Sequence, residues 1–141
     1  MQLSTDITTV VHVIQLAVAP VFLLTGVGAI LSVLVNRLGR VVDRFRALEM
    51  GVATSRAIDV EMDSLEWRAR LIHRAISLCT SGALLICIVI AALFIGAFFA
   101  IDVSAFIVLL FVLAMLALIL GLLLFLREIY LATGSIHVKP R

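Results

Sequence analysis

Three long apolar stretches alternate with short polar ones along this chain. Ile7–Asn36, Ala75–Ile101 and Val103–Leu126 contain no Asp, Glu, Lys or Arg over 30, 27 and 24 residues. Each exceeds the roughly 20 residues that carry a helix across a hydrocarbon core about 30 Å thick. The pattern predicts an all-α protein with three transmembrane helices, at about 8–36, 75–101 and 103–126, in a single membrane domain covering 1–141.

The first stretch has no stop at its inner end. Beyond Asn36, apolar Leu38, Val41, Val42, Phe45 and Leu48 recur at helical spacing among Arg37, Arg40, Asp43, Arg44 and Arg46. An amphipathic helix therefore continues past the membrane surface. Gly51 and the run Ala53-Thr54-Ser55 mark a turn. The chain then returns in helical register with Leu65, Trp67, Leu71 and Ile72 as apolar members. No Pro or Gly separates this segment from the second span. Two long helices are expected, about Thr8–Met50 and Ile58–Ala100, whose extensions form a short hairpin at about 37–74. The very short Asp102-Val103-Ser104 connection makes the second and third spans adjacent and antiparallel, with Ser104 or Asp102 as the cap of the third helix. That helix is apolar enough to face lipid, and it should fray at Gly134, leaving a tail over 127–141.

Composition agrees with the pattern: 64% of the 141 residues are hydrophobic and 14% charged, well away from the balance of soluble domains. Where the charge falls is more informative. Of 11 Lys and Arg, eight (Arg37, Arg40, Arg44, Arg46, Arg56, Arg68, Arg70, Arg74) lie between the first two spans, and Arg127, Lys139 and Arg141 follow the third. Positive residues stay on the cytoplasmic side, so the amino terminus is expected outside and the carboxyl terminus inside. Six acids share the first of these segments, and its small net charge describes a solvated juxtamembrane face; no nucleic-acid partner is expected. Ala17-Val18-Ala19 has the look of a cleavage site. The absence of Lys and Arg from Met1–Asp6, and Pro20 directly after it, favour an uncleaved span.

Uncharged polar residues are concentrated in the first span, where Gln15, Thr25, Ser32 and Asn36, with the small residue Gly28, are the candidates. One reading is a helix-packing seam, because small residues permit close approach and Ser, Thr, Asn and Gln hydrogen-bond between helices. The other is the lining of a pore made by several copies of this helix around an axis. Arg37, Arg40, Asp43, Arg70, Arg74, Arg127 and Glu128 form a charge cluster at the inner surface. They read either as topology determinants and lipid-phosphate anchors or as a gating or anion-contacting ring. His12 reads as an interfacial polar residue, and Pro20 as a local kink. Cys79 and Cys87 read as small buried apolar residues, about 12 Å apart along a helix and too distant for a mutual disulfide. No catalytic motif, metal-ligand spacing or paired intramembrane carboxylate occurs, so neither an enzyme nor a cofactor is expected.

Three blocks resemble an uncharacterised bacterial membrane family, domain of unknown function 2721. They are Ala19-Pro20-Val21-Phe22-Leu23-Leu24 through Asn36-Arg37-Leu38-Gly39-Arg40, then Arg68–Ile76, and Leu126-Arg127-Glu128-Ile129-Tyr130-Leu131-Ala132-Thr133. The resemblance implies a three-helix protein of the bacterial inner membrane and no established activity. The topology is also similar to that of the minimal YidC-like insertases, although the second and third spans here are far more apolar and the hairpin is shorter. Two functions are therefore expected in competition. One is a homo-oligomer in the bilayer with the first span innermost and an ion-conducting path. The other is a non-conducting scaffold or insertase-like factor whose cytoplasmic hairpin docks a protein partner.

Overall fold

The computed structural model describes the backbone of residues 2–51 and 56–134, and the side chains of residues 7–51 and 58–134. It contains three helices, α1 (Gln2–Met50), α2 (Arg56–Phe99) and α3 (Ser104–Gly134). The segments Ile7–Met50, Ile58–Phe99 and Ser104–Gly134 are each long and apolar enough to cross a membrane. At 1.5 Å per residue the 49 residues of α1 extend about 73 Å, more than twice the hydrocarbon thickness. Charge therefore need not interrupt the helix, and α1 continues from its apolar part into its arginine-bearing part without a break. It also continues through Pro20, which is buried. The turn expected over residues 51–55 falls outside the described residues except for Gly51, and so does the tail from residue 135.

Helix α2 is central, packing against both α1 and α3, while α1 and α3 touch each other little. Periodicity explains how. Leu23, Ile30, Arg37 and Val42 of α1 are half-buried beside a continuous buried or half-buried seam formed by Val13, Ala17, Pro20, Leu24, Val27, Leu31, Leu34, Leu38, Val41, Phe45 and Leu48. Spacing along the seam alternates between four and three residues throughout. A 3.5-residue repeat keeps one seam against a neighbour along a left-handed crossing. The same rhythm gives Ala114, Leu118, Gly121 and Glu128 as the buried residues of α3. Bilayer lipids are as apolar as leucine, so close packing rather than water exclusion must hold such helices together.

Glycine supplies that closeness at two points between α2 and α3. A Cβ on Gly82 would fall 2.9 Å from Leu118 Cγ, and one on Gly121 would fall 2.8 Å from Cys79 Sγ and 3.2 Å from the Ala75 carbonyl oxygen. Cys79 is accordingly buried, as its sequence context led us to expect; Cys87 is exposed, because it lies on the outer side of α2.

The connection between α2 and α3 is tight. Ala100 follows α2 with a φ of 53°, and the Ile101 amide donates back to the Gly96 carbonyl at 3.1 Å. This is a Schellman-type stop built on alanine where glycine is usual. Asp102 Oδ1 then accepts from the Ser104 amide at 3.1 Å and from its hydroxyl, satisfying one of the free donors at the start of α3. Both of these donations hold the Asp102 carboxyl below the ordinary carboxylate range, the hydroxyl contributing more.

Candidate functional site

The charged ends of the three helices meet at Glu128. Its place in the seam of α3, seven residues after Gly121, turns the carboxylate inward, where the side chain has no exposure at all. Two arginines reach it from different helices. Arg68 of α2 donates to Oε1 from Nε at 3.3 Å and from Nη2 at 3.1 Å. Arg37 of α1 brings Nη1 to 3.2 Å from Oε2, but the alignment is not that of a hydrogen bond, and Oε2 is left without a donor. The Arg37 guanidinium also sits 5.6 Å from the centroid of the Phe125 ring on α3, within cation–π range. The two arginine side chains keep 31% and 23% exposure, so their heads stay in contact with the surroundings while their partner does not.

Further from the apolar part, Arg44 of α1 pairs with Glu61 of α2 at 2.9 Å. Arg70 pairs with Glu66 at 2.9 Å within α2, an i, i+4 arrangement with the acid on the N-terminal side. Arg37, Arg40, Arg44 and Arg68, with Val41 and Leu65, line a cavity of about 270 Å³ between α1 and α2. Of the charged residues expected to cluster, the structure brings Arg37 and Glu128 together. Arg40 lies beside them at the cavity, and Arg70 faces its own helix neighbour. Asp43, Arg74 and Arg127 are exposed and form no ion pair among the described residues. Arg68 is the member that the sequence reading counted only as a hairpin charge. The sequence also left the spans free of acids, whereas Glu128, two residues past the third stretch, is the buried one.

The polar residues of α1 lie elsewhere. Gln15, Thr25, Ser32 and Asn36 are all exposed; Gln15 and Asn36 lie two residues from the seam on either side, about 200° round the helix, while Thr25 and Ser32 directly follow Leu24 and Leu31, about 100° round and on the outer flank. They therefore face away from α2. Thr25 Oγ1 turns back to the Val21 carbonyl oxygen at 3.4 Å. Ser32 and Asn36 make no side-chain hydrogen bond among the described residues. Gly28 is exposed too, and a Cβ there would meet nothing within 4 Å. Over the charge-free part of α1, contact with α2 is thus made by apolar residues, and the polar stripe plays no part in it.

Comparison with protein-family models decides the affiliation. A model described as "Protein of unknown function (DUF2721)" matches residues 17–138. The chain belongs to the DUF2721 family. That match runs from the seam residue Ala17 through α2 and the whole of α3, so the Arg37–Arg68–Glu128 cluster and the stripe from Thr25 to Asn36 fall inside the family region. Comparison with curated proteins and with solved structures gives no match.

Proposed function

We propose that this DUF2721 protein is a homo-oligomer of the bacterial inner membrane, with its amino terminus outside and its carboxyl terminus in the cytoplasm. Copies of α1 stand innermost and their outer polar stripe lines a path for ions. The observation that carries this reading is the exposure of Ser32 and Asn36 on the side of α1 turned away from α2. An unsatisfied amide facing hydrocarbon is costly. A second copy, or water on an axis between copies, relieves that cost. The exposed side of α3 supports the arrangement, since Leu109, Leu113, Leu116, Leu120 and Leu123 suit lipid. Orientation rests on the arginines at the hairpin end. The protein acts here without catalysis.

Single cysteines at Ser32 and Asn36, in a Cys87→Ser background, test the model together with particle mass in mild detergent. Discrete oligomers and labelling from the aqueous phase at both positions are expected. A strict monomer, or thiols that never react from water, overturns the pore. Asn36→Leu should alter flux in reconstituted vesicles while assembly survives; a stability change of about 0.6 kcal/mol, the usual size of one interhelical polar contact, with flux unaltered would mark a packing contact instead.

One observation favours a second reading. Met50, Val60 and Trp67 are exposed large hydrophobic residues on the arginine-bearing part of α1 and α2, a surface a cytoplasmic protein partner would cover. In a non-conducting scaffold of that kind, Ser32 and Asn36 stay inaccessible and Trp67→Ala releases the partner.

A further inference from the structure

We propose that the cavity between α1 and α2 lined by Arg37, Arg40, Arg44 and Arg68 is a binding site for a phosphate group, of the kind carried by anionic phospholipids. Charge is the first argument. Four arginines line one space of about 270 Å³, and two carboxylates answer them: Glu128, shared by Arg37 and Arg68, and Glu61 on Arg44. Two positive charges remain over, and Arg40 has no ion pair among the described residues. Planar guanidiniums recognise phosphate oxygens through paired N–H donors, and several around one pocket favour phosphate over a single surface charge.

Shape and depth give the second and third arguments. Val41 and Leu65 form an apolar floor, which suits a group joined to a glycerol and acyl chains better than a fully hydrated ion. Arg37 is the first residue after the charge-free stretch, and Arg44 lies seven positions on, about 10 Å along the helix. The headgroup region beyond the hydrocarbon is about 5–7 Å thick on each side. The arginine ladder thus spans the level of the lipid phosphates. Glu128 is part of the construction. By neutralising one charge behind the cavity, it holds Arg37 and Arg68 at the wall without entering the space in front. This proposal does not depend on the oligomer or on conduction.

The test uses the full-length protein in neutral detergent, with lipid retention and affinity read by native mass spectrometry and confirmed by thermal shift. Phosphatidylglycerol, phosphatidylcholine and inorganic phosphate are added separately. Arg40→Gln/Arg44→Gln is the test variant, since neither residue touches Glu128. Arg74→Gln/Arg127→Gln is the charge-matched control away from the cavity. Phosphatidylglycerol is expected to bind and raise the melting temperature, phosphatidylcholine to do neither. Each cavity arginine removed should weaken binding about fivefold, the effect typical of one basic residue at an anionic surface, and the control should change it less than twofold.

If millimolar inorganic phosphate displaces the lipid or protects by itself, the site stands and the free anion is a source of its ligand. If it does neither, the headgroup is the source. Equal binding of phosphatidylcholine, or an equal loss in the control variant, overturns the proposal. Particle mass from the same spectra reports the oligomeric state separately, so failure of one reading is not mistaken for failure of the other.

Discussion

Arg68 on α2 places Nε and Nη2 3.3 and 3.1 Å from Oε1 of Glu128 on α3, and the carboxylate it holds is fully buried. Without Arg68 the buried carboxylate keeps only the unaligned Arg37 charge at 3.2 Å and has no hydrogen-bond donor, and a buried charge left so poorly paired costs more than the pair is worth. Arg68→Met should therefore destabilise by about 3 kcal/mol, the low end for buried pairs because the guanidinium is partly exposed. Arg68→Met/Glu128→Met should recover most of that loss, since packed apolar residues replace a desolvated pair at little cost. Unfolding in detergent by heat or denaturant measures both, and strictly additive losses would sink the account.

Two glycines separate packing inside the protomer from packing outside it. Gly121→Leu must push α3 from the Ala75 carbonyl and Cys79, and a loss of about 1–3 kcal/mol is expected from overpacking. A Cβ on Gly28 meets nothing beyond its own helix turn within 4 Å, and the position is exposed, so Gly28→Leu should leave protomer stability largely intact. If copies of α1 stand together, the Gly28 variant changes particle mass, which size-exclusion with light scattering reads directly.

Ala100 adopts a backbone conformation that disfavours a Cβ, with φ at 53°. Ala100→Gly should relieve it and raise stability by about 0.5–1 kcal/mol, the left-handed cost less the extra freedom glycine gives the unfolded chain. A β-branched residue there should do the opposite. A lower melting temperature for the glycine variant would contradict the left-handed stop.

Asp102 gives a pH dependence of definite sign. Its carboxyl is held below the ordinary range by the Ser104 hydroxyl and amide. A depressed folded value means that the capping contribution is complete above the unfolded carboxylate pKa and disappears as pH falls through the lowered one. Ser104→Ala removes the larger cause and should move the Asp102 midpoint upward, as carboxyl-carbon NMR would show. An unmoved midpoint would mean that the hydroxyl plays no such part.

The three helices were legible because charge-free length and hydropathy are direct consequences of the bilayer. Leu38, Val41, Phe45, Leu65 and Ile72, on the arginine-bearing parts of α1 and α2, were legible from apolar spacing, and all are buried or half-buried. Trp67 has the same spacing signal and faces outward, since α2 offers its neighbours two sides and Trp67 lies on neither. Glu128 was legible as a member of the charge cluster, but its burial was hidden by the habit of ending a span at its first charge. The seven-residue interval through Ala114, Gly121 and Glu128 was available to place it inside, and Arg68 sits three residues from both Leu65 and Leu71 in the same region. The direction of the α1 polar stripe was not legible, because a single helix does not say which of its faces meets a neighbour.

The order of the chain gives the three-way charge cluster a meaning in time. Arg37 emerges first, Arg68 next and Glu128 only with the last turns of α3. Until then the first two helices carry a pair of guanidiniums with no carboxylate between them, and the arrival of Glu128 is what marks the protomer as complete. A chain cut short before that residue would retain two membrane-length helices but lack the carboxylate that joins Arg37 to Arg68.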